Sequence, residues 1–304
     1  MLSRLLIFLL LALSSNAICS AKVLWWNIGY NEYSIPSTQN PGQSNLDDSM
    51  QTIEWNQYDI VAFGEYIPKT LNKSSLDTIK SLFPYQKILK YNDAYGKSLY
   101  IFSKKKFSYK VSNLDWTNPN DSASEQLYYK RDMTDEYGSM DTFERRYIRI
   151  TLGLNAKKYN FVFFHLNNPW VLFKNHDGVL KVGYELIFGK SNPLYNQILN
   201  LKNSLKKDLG SDYRNKNLVL MGDSNCPRRA KGITPVCYKR MREMLPIVLD
   251  QNKEITFPAF GSVVFGKLPK VKIDHVQSSK GIRAKARVLN YLGSDHKPVE
   301  LSIN

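Results

Sequence analysis

Cysteine and histidine are scarce in this chain, three and four respectively among 304 residues. None of them falls into the paired spacing of a zinc site, which excludes a centre built on Cys and His ligands. No Gly-rich loop of the kind that cradles a nucleotide's phosphates is present. Beyond residue 21 no apolar run approaches the roughly 20 residues that cross a bilayer, so no stable membrane anchor is expected. No repeat, low-complexity tract or linker marks off a second domain. Acidic residues are in deficit as well: 27 Asp and Glu stand against 42 Lys and Arg, a net charge of +15. A chain with that balance is drawn to polyanions, although solubility or adhesion to an anionic surface would use the same charge.

What is present begins with Arg4, the apolar run from Leu5 to Leu13, and small residues up to Ala21. That is the pattern of an export signal, and cleavage near Ala21 is expected to release residues 22–304 as one secreted or periplasmic domain. The 283 residues that remain suffice for a large core. Of the cysteines only Cys226 and Cys237 survive cleavage, 11 positions apart. An even pair in an oxidising compartment predicts a bridge that pins the segment between them. From Cys226 to Asn290 there are 14 basic and four acidic residues. Arg228, Arg229 and Lys231, inside the bridged span, are therefore candidates for contacts with substrate phosphates.

Several apolar runs end in polar groups. Leu218-Val219-Leu220-Met221 reads as a short buried strand. Gly222 is expected to free the backbone to turn, and Asp223 and Asn225, two residues apart, to face one reacting centre. A plain turn is the alternative, since all four residues from Gly222 to Asn225 are turn formers. Val23–Ile28 reads as a first buried strand that delivers Asn27, and Asp59–Phe63 as a second that ends in Gly64-Glu65. Asn160–Phe164 is a third, followed by His165 and Asn168. Gly96–Lys104 contains a further strand, and Arg145–Leu152 alternates basic with apolar, placing Arg145, Arg149 or both where a phosphate clamp or a solvated face would lie. Val271–Val276 alternates with Asp274 inward, and Ser294-Asp295-His296 precedes a last strand, Val299–Ile303. The 3.6-residue spacing predicts helices over Leu46–Trp55 and Leu194–Leu205, with another near Leu71–Phe83. Residues 118–140 read as an exposed loop, and 170–190 carry no assigned role.

In chain order, Trp26-Asn27-Ile28, Gly64-Glu65, Gly222-Asp223-Ser224-Asn225, Ile273-Asp274-His275 and Ser294-Asp295-His296-Lys297-Pro298-Val299 resemble the endonuclease/exonuclease/phosphatase family. That family includes DNase I-like nucleases, AP endonucleases, sphingomyelinases and inositol-polyphosphate phosphatases. The resemblance runs from about Val23 to the C-terminus. It implies an α/β (α+β) fold, a two-sheet sandwich of the DNase I-like type with helices on the outer faces and the site where strand ends meet. It also implies metal-assisted phosphoester hydrolysis. Glu65, Asn27 and Asp295 would then be hard oxygen ligands, suited to Mg2+, or to Mn2+ or Ca2+. Asp274 would hold His296 in one tautomer, and Asp223 and Asn225 would orient water and bond the phosphoryl oxygens. His165 and Asn168 would stabilise the phosphate or assist the leaving oxygen. The general base is Asp223 or His296. One position departs from the pattern: Ser98 stands where relatives usually carry an Asn or Glu that supports a catalytic histidine. The resulting expectation is a secreted monomer that cuts DNA, RNA or both. The alternatives are a phospholipid or inositol phosphoesterase, and an inactive relative that binds nucleic acid or a surface.

Overall fold

Strand β1 (Ala21–Asn27) shows how the molecule is layered. Side chains alternate along a strand: Val23 and Trp25 enter one apolar cluster, Leu24 and Trp26 another. A strand apolar on both faces needs cover on both. Two sheets packed face to face supply one cover, and helices outside them supply the other.

The structure is a computed structural model that describes residues 21–29, 45–68, 70–91, 97–114, 145–154, 156–166, 193–228, 234–245, 247–248, 256, 272–291 and 293–304. The first sheet holds β1, β2 (Ile60–Tyr66), β3 (Tyr85–Lys90), β4 (Ser98–Ser103), β11 (Ala284–Val288) and β12 (Val299–Ile303), in the order β11-β12-β1-β2-β4-β3. The second holds β5 (Ser108–Leu114), β6 (Arg145–Leu154), β7 (Lys157–His165), β8 (Leu218–Asp223), β9 (Ile247–Val248) and β10 (Asp274–Ser278), in the order β5-β6-β7-β8-β10-β9. Each sheet has one parallel pair at its centre, β1 with β2 and β7 with β8, and its other pairings are antiparallel.

Trp25, Ala62, Ile101, Ile150, Phe161, Phe163, Val219 and Met221 fill the space between the sheets. Helices α1 (Asn45–Thr52) and α2 (Lys73–Leu82) cover the outer face of the first sheet with Leu46, Met50 and Ile79. Helices α3 (Pro193–Leu209) and α4 (Val236–Arg242) cover the second, with Leu194, Ile198, Leu201, Leu205 and Met241. The fold is therefore the expected two-sheet α/β sandwich.

Local differences from the sequence reading have physical causes. The helix expected to reach Trp55 stops at Thr52, and a separate 3-10 turn, Trp55–Gln57, tucks the Trp55 ring into the core. Helix α3 runs to Leu209, one turn beyond the apolar stripe, on polar residues. Gly222 is not a turn residue. It lies inside β8, and an added Cβ would stand 2.1 Å from the Phe164 carbonyl oxygen of the parallel neighbour. The turn comes at Asn225, whose φ of 50° is left-handed. Cys226 and Cys237 are joined, with Cα atoms 6.1 Å apart. The export segment before Ala21 and the stretches 118–140 and 170–190 lie outside the described residues.

Candidate active site

In a parallel pair both strands finish at the same edge of the sheet, so two neighbouring strands present their last side chains together. Asn27 ends β1 beside Gly64, and His165 ends β7 opposite Asp223, the last residue of β8. The antiparallel strand β10 starts at this same edge, with Asp274 opposite Asp223. Asn27 Nδ2 donates to Asp223 Oδ2 at 3.0 Å and ties the two sheets together.

His296 enters from the turn before β12. Its Nδ1 lies 2.7 Å from Asp274 Oδ2, and its Nε2 lies 3.6 Å from Asp223 Oδ2 and 3.5 Å from Asn27 Nδ2. The second Asp274 oxygen accepts from Trp25 Nε1 at 2.9 Å, so a core side chain of the opposite sheet fixes that carboxylate. The backbone of the turn is anchored too. The His296 carbonyl accepts from Trp26 Nε1 at 2.9 Å, and Ser294 Oγ donates to the Asn27 carbonyl at 2.7 Å.

The segment after β8 folds through its own side chains. Asp223 Oδ1 accepts from the Asn225 N–H at 2.7 Å, and Ser224 Oγ donates to the Ile273 carbonyl at 2.9 Å. Asn tolerates the left-handed backbone of position 225, and its amide reaches the Leu166 carbonyl at 2.9 Å. Asp223 and Asn225 do face one centre, through a turn closed by a side chain rather than through extended alternation. Glu65 sits in a β-bulge of β2 with a φ of 51°, which aims its carboxylate back into the site. One carboxylate oxygen lies 3.1 Å from His165 Nε2, and the other accepts from Lys97 Nζ at 2.5 Å.

These contacts set the charges. Burial raises the Glu65 carboxyl, but Lys97, His165 and Arg145 outweigh it and hold the group well below the usual carboxylate range. Burial, aided by Arg145 and Lys97, keeps His165 neutral despite Glu65. A neutral imidazole that donates from Nε2 to Glu65 leaves Nδ1 as an acceptor, and that Nδ1 is buried without a hydrogen-bond partner. Burial, with Asp274 and Glu65, pushes Asp223 up to about 8 against the pull of His296. For His296 burial opposes the charge, yet Asp274, Asp223 and Asp295 lift it well above the ordinary histidine range. The centre is thus an imidazolium held among aspartates. Burial also raises Asp295, which feels both His296 and Glu65.

The donor chemistry fits a hard divalent cation. Glu65 and Asp295 are mutually repelling carboxylates, and Lys97 is the positive group already drawn to Glu65. Asp223, Asp274 and His296 also bring one potential ligand atom each to within 4.8 Å of one another. The His296 ring, engaged with Asp274 through Nδ1, turns its Nε2 toward Asp223.

Of Arg145 and Arg149, both on β6, Arg145 joins the site. It is buried, with its guanidinium 4.7 Å from the centre of the Tyr91 ring, which stands 5.8 Å from the His165 ring. Arg149 donates to Asn160 Oδ1 at 3.0 Å, near the far end of β7. Five residues of strand, roughly 17 Å, separate Asn160 from His165. Arg228 lies inside the bridged span and bonds the Lys272 carbonyl through its backbone N–H at 3.1 Å. Arg229, Lys231 and Asn168 lie outside the described residues. Ser98 Oγ donates to the Tyr66 carbonyl at 2.8 Å and so braces the end of β2 rather than an imidazole. Sequence reasoning gave Lys97 and Trp25 no role. Lys97 was within reach of it, because an antiparallel partner of the strand that ends in Glu65 must begin beside that glutamate.

No protein-family model matches this chain, and no curated protein matches its sequence. Solved structures do. An endonuclease/exonuclease/phosphatase family protein from Leptotrichia buccalis superposes with a TM-score of 0.56 at 15% identity, covering 93% of this chain and 99% of that one. Sphingomyelinase C from Streptomyces griseocarneus gives 0.53 at 12%, covering 93% and 99%. D. rerio TDP2, in complex with single-strand DNA product, gives 0.51 at 12%, covering 93% and 98%. The fold is that of the endonuclease/exonuclease/phosphatase proteins.

Proposed function

We propose that this chain is a secreted, divalent-metal-dependent phosphodiesterase acting on nucleic acid, with residues 1–21 as its export signal and 22–304 as its one domain. The observation that carries the hydrolase reading is the Asp274–His296 pair, 2.7 Å apart, turned toward Asp223 and Asn27. Glu65, Asn27 and Asp295 would hold the ion. Asn27 Oδ1 already accepts from the Gly29 N–H at 3.1 Å and keeps its second lone pair for a ligand bond. Bound there, the cation supplies polarisation of a phosphoryl oxygen.

The remaining work falls to the side chains. His296, positive between Asp274 and Asp223, offers its charge to the phosphoryl oxygens as they become more negative. Asp223, with its carboxyl near 8, is matched to taking a proton from water close to neutral pH. Asp223 and His296 face the same place, 3.6 Å apart, and either can serve as the base. Asn225 and Asn27 donate toward the same place. Neutral His165 steadies Glu65 through Nε2, and Arg145 adds positive charge on that side.

Charge supports nucleic acid as the substrate: the chain carries +15, with 14 basic residues against four acidic between Cys226 and Asn290. The second reading, a phospholipid or inositol phosphoesterase, is favoured by the likeness to sphingomyelinase C. An inactive binding protein would have no need of the full set of Glu65, Asp223, Asn225, Asp274 and His296. Incubation of the purified chain with plasmid DNA, RNA and sphingomyelin, with and without EDTA, separates the three. EDTA-sensitive cutting of DNA or RNA is expected. Turnover of sphingomyelin alone selects the second reading, and no turnover of any of them selects the third.

A further inference from the structure

Three large apolar side chains stand exposed among the described residues: Tyr85, Ile88 and Tyr109. All three lie on β3 and β5, the terminal strands of the two sheets. Lys87 joins those two edges. Its Nζ donates to the Tyr109 hydroxyl at 2.8 Å and lies 4.3 Å from the centre of that ring. The two edge strands carry Lys87, Lys90 and Lys110, the last paired with Asp208, and no acidic residue. Lysines alone on an edge strand would guard against strand-to-strand aggregation. The exposed tyrosines and isoleucine work against such a guard, so protection does not account for the composition.

The edge also has a direction. Side chains 85, 87, 89 and 91 share one face. Leu89 enters the core between the sheets, and the Tyr91 ring reaches Arg145 and His165. On the facing edge, Tyr109 pairs with Ile150, and Leu114 at the other end of β5 pairs with Arg145. From Tyr85 and Tyr109 the two edges therefore run side by side for roughly 20 Å to the side of the site where Arg145 and Glu65 lie. Lysine charges interleaved with aromatic faces match a single strand, whose phosphates take the charges and whose unpaired bases stack on the rings.

We propose that the β3–β5 edge, through Tyr85, Lys87 and Tyr109, is a docking track for single-stranded nucleic acid that feeds an extended strand to the active site. This rests on the nucleic-acid reading above. It is tested with the full chain in EDTA, where cleavage is blocked, by fluorescence anisotropy of labelled oligothymidylates of about 4 and about 16 nucleotides, which bracket the footprint of one such surface. The Lys87→Ser/Tyr109→Ala double variant and Tyr85→Ala are each expected to lose about five-fold or more in affinity for the long oligomer. The short oligomer and the hydrolysis of a small phosphodiester are expected to stay as in the wild type, and Tyr109→Phe, which keeps the ring, to retain most of the affinity. If the wild type cuts DNA or RNA and the variants bind the long oligomer unchanged, the track is wrong and the nuclease reading stands. If the wild type neither binds nor cuts nucleic acid, the nuclease reading fails and the track falls with it. If these residues instead govern binding to phosphatidylserine vesicles while oligomers are ignored, the edge is a membrane surface and the proposal is overturned.

Discussion

Gly222→Ala is a small change with a large expected effect. The new Cβ would lie 2.1 Å from the Phe164 carbonyl oxygen, and 2.9 Å from both the carbonyl carbon and Cδ2 of the same residue. The first clash is with backbone, so no rotamer relieves it, and β7 and β8 must separate by about 1 Å near their C-terminal ends. Weakening the two ladder bonds nearest the pair costs about 0.5–1.5 kcal/mol each, and overpacking adds about 1–3 kcal/mol. The expected destabilisation is about 4 kcal/mol, or a fall in Tm of roughly 10 °C, on the scaling for large domains. His165 and Asp223 are the next pair in the same register, so phosphodiesterase activity measured well below Tm should also fall, by about a hundred-fold if the displacement reaches the chemistry. Thermal unfolding by circular dichroism and a fixed-temperature rate assay check the two effects. A variant with wild-type Tm and wild-type rate would refute the close-approach argument and return Gly222 to the role of a turn residue.

Four further outcomes are expected. Glu65→Gln should keep the fold and lose divalent-ion-stimulated hydrolysis by orders of magnitude, because an amide is a poor ligand for a hard cation; near-normal, EDTA-resistant turnover would contradict it. His296→Ala should be at least as damaging as Asp274→Ala, with the double variant little worse than the more damaging of the two, whereas losses that multiply would show that the two do not act as one unit. Reduction of Cys226–Cys237 should lower stability by about 2–4 kcal/mol in urea unfolding on the loop-closure account; an unchanged midpoint would count against it. The Glu300 carboxyl lies low because its bonds from Arg287 and Tyr58 and the charge of Lys22 outweigh burial. Its stabilising effect over Glu300→Gln should therefore be complete at pH 7 and shrink as pH falls below about 4.3 toward the lowered native value. A stability gap that stays constant down to the acid limit would remove Glu300 from that account.

The strands were legible because most are apolar runs with few competing signals, and the polar residues at their ends stood out against that background. Glu65, Asp223, Asp274 and His296 were identifiable from motif order and do meet in space. Their geometry was less accessible. The bulge that turns Glu65 inward and the left-handed backbone at Asn225 depend on contacts with His165, Lys97 and Leu166, which no local window contains. The distinction between Arg145 and Arg149 rested on knowing which end of β6 lies beside His165. Trp25 looked like simple core filler, and its indole N–H reveals a second task only once the sheets are packed together.

β1 lies between β2 and β12, with Val23 paired to Leu301. The first sheet is thus completed near its middle by the two most distant strands of the chain. Until Val299–Ile303 docks, β1 exposes the hydrogen-bonding groups of one long side, an invitation to pair with the wrong chain. The same docking brings His296 to Asp274, so a chain stopped short of it would hold Glu65, Asn27 and Asp223 without the imidazole they work with. Contacts this remote in sequence form slowly. During refolding, activity should consequently return with the slowest structural phase, as a final step rather than in proportion to the sheet already formed.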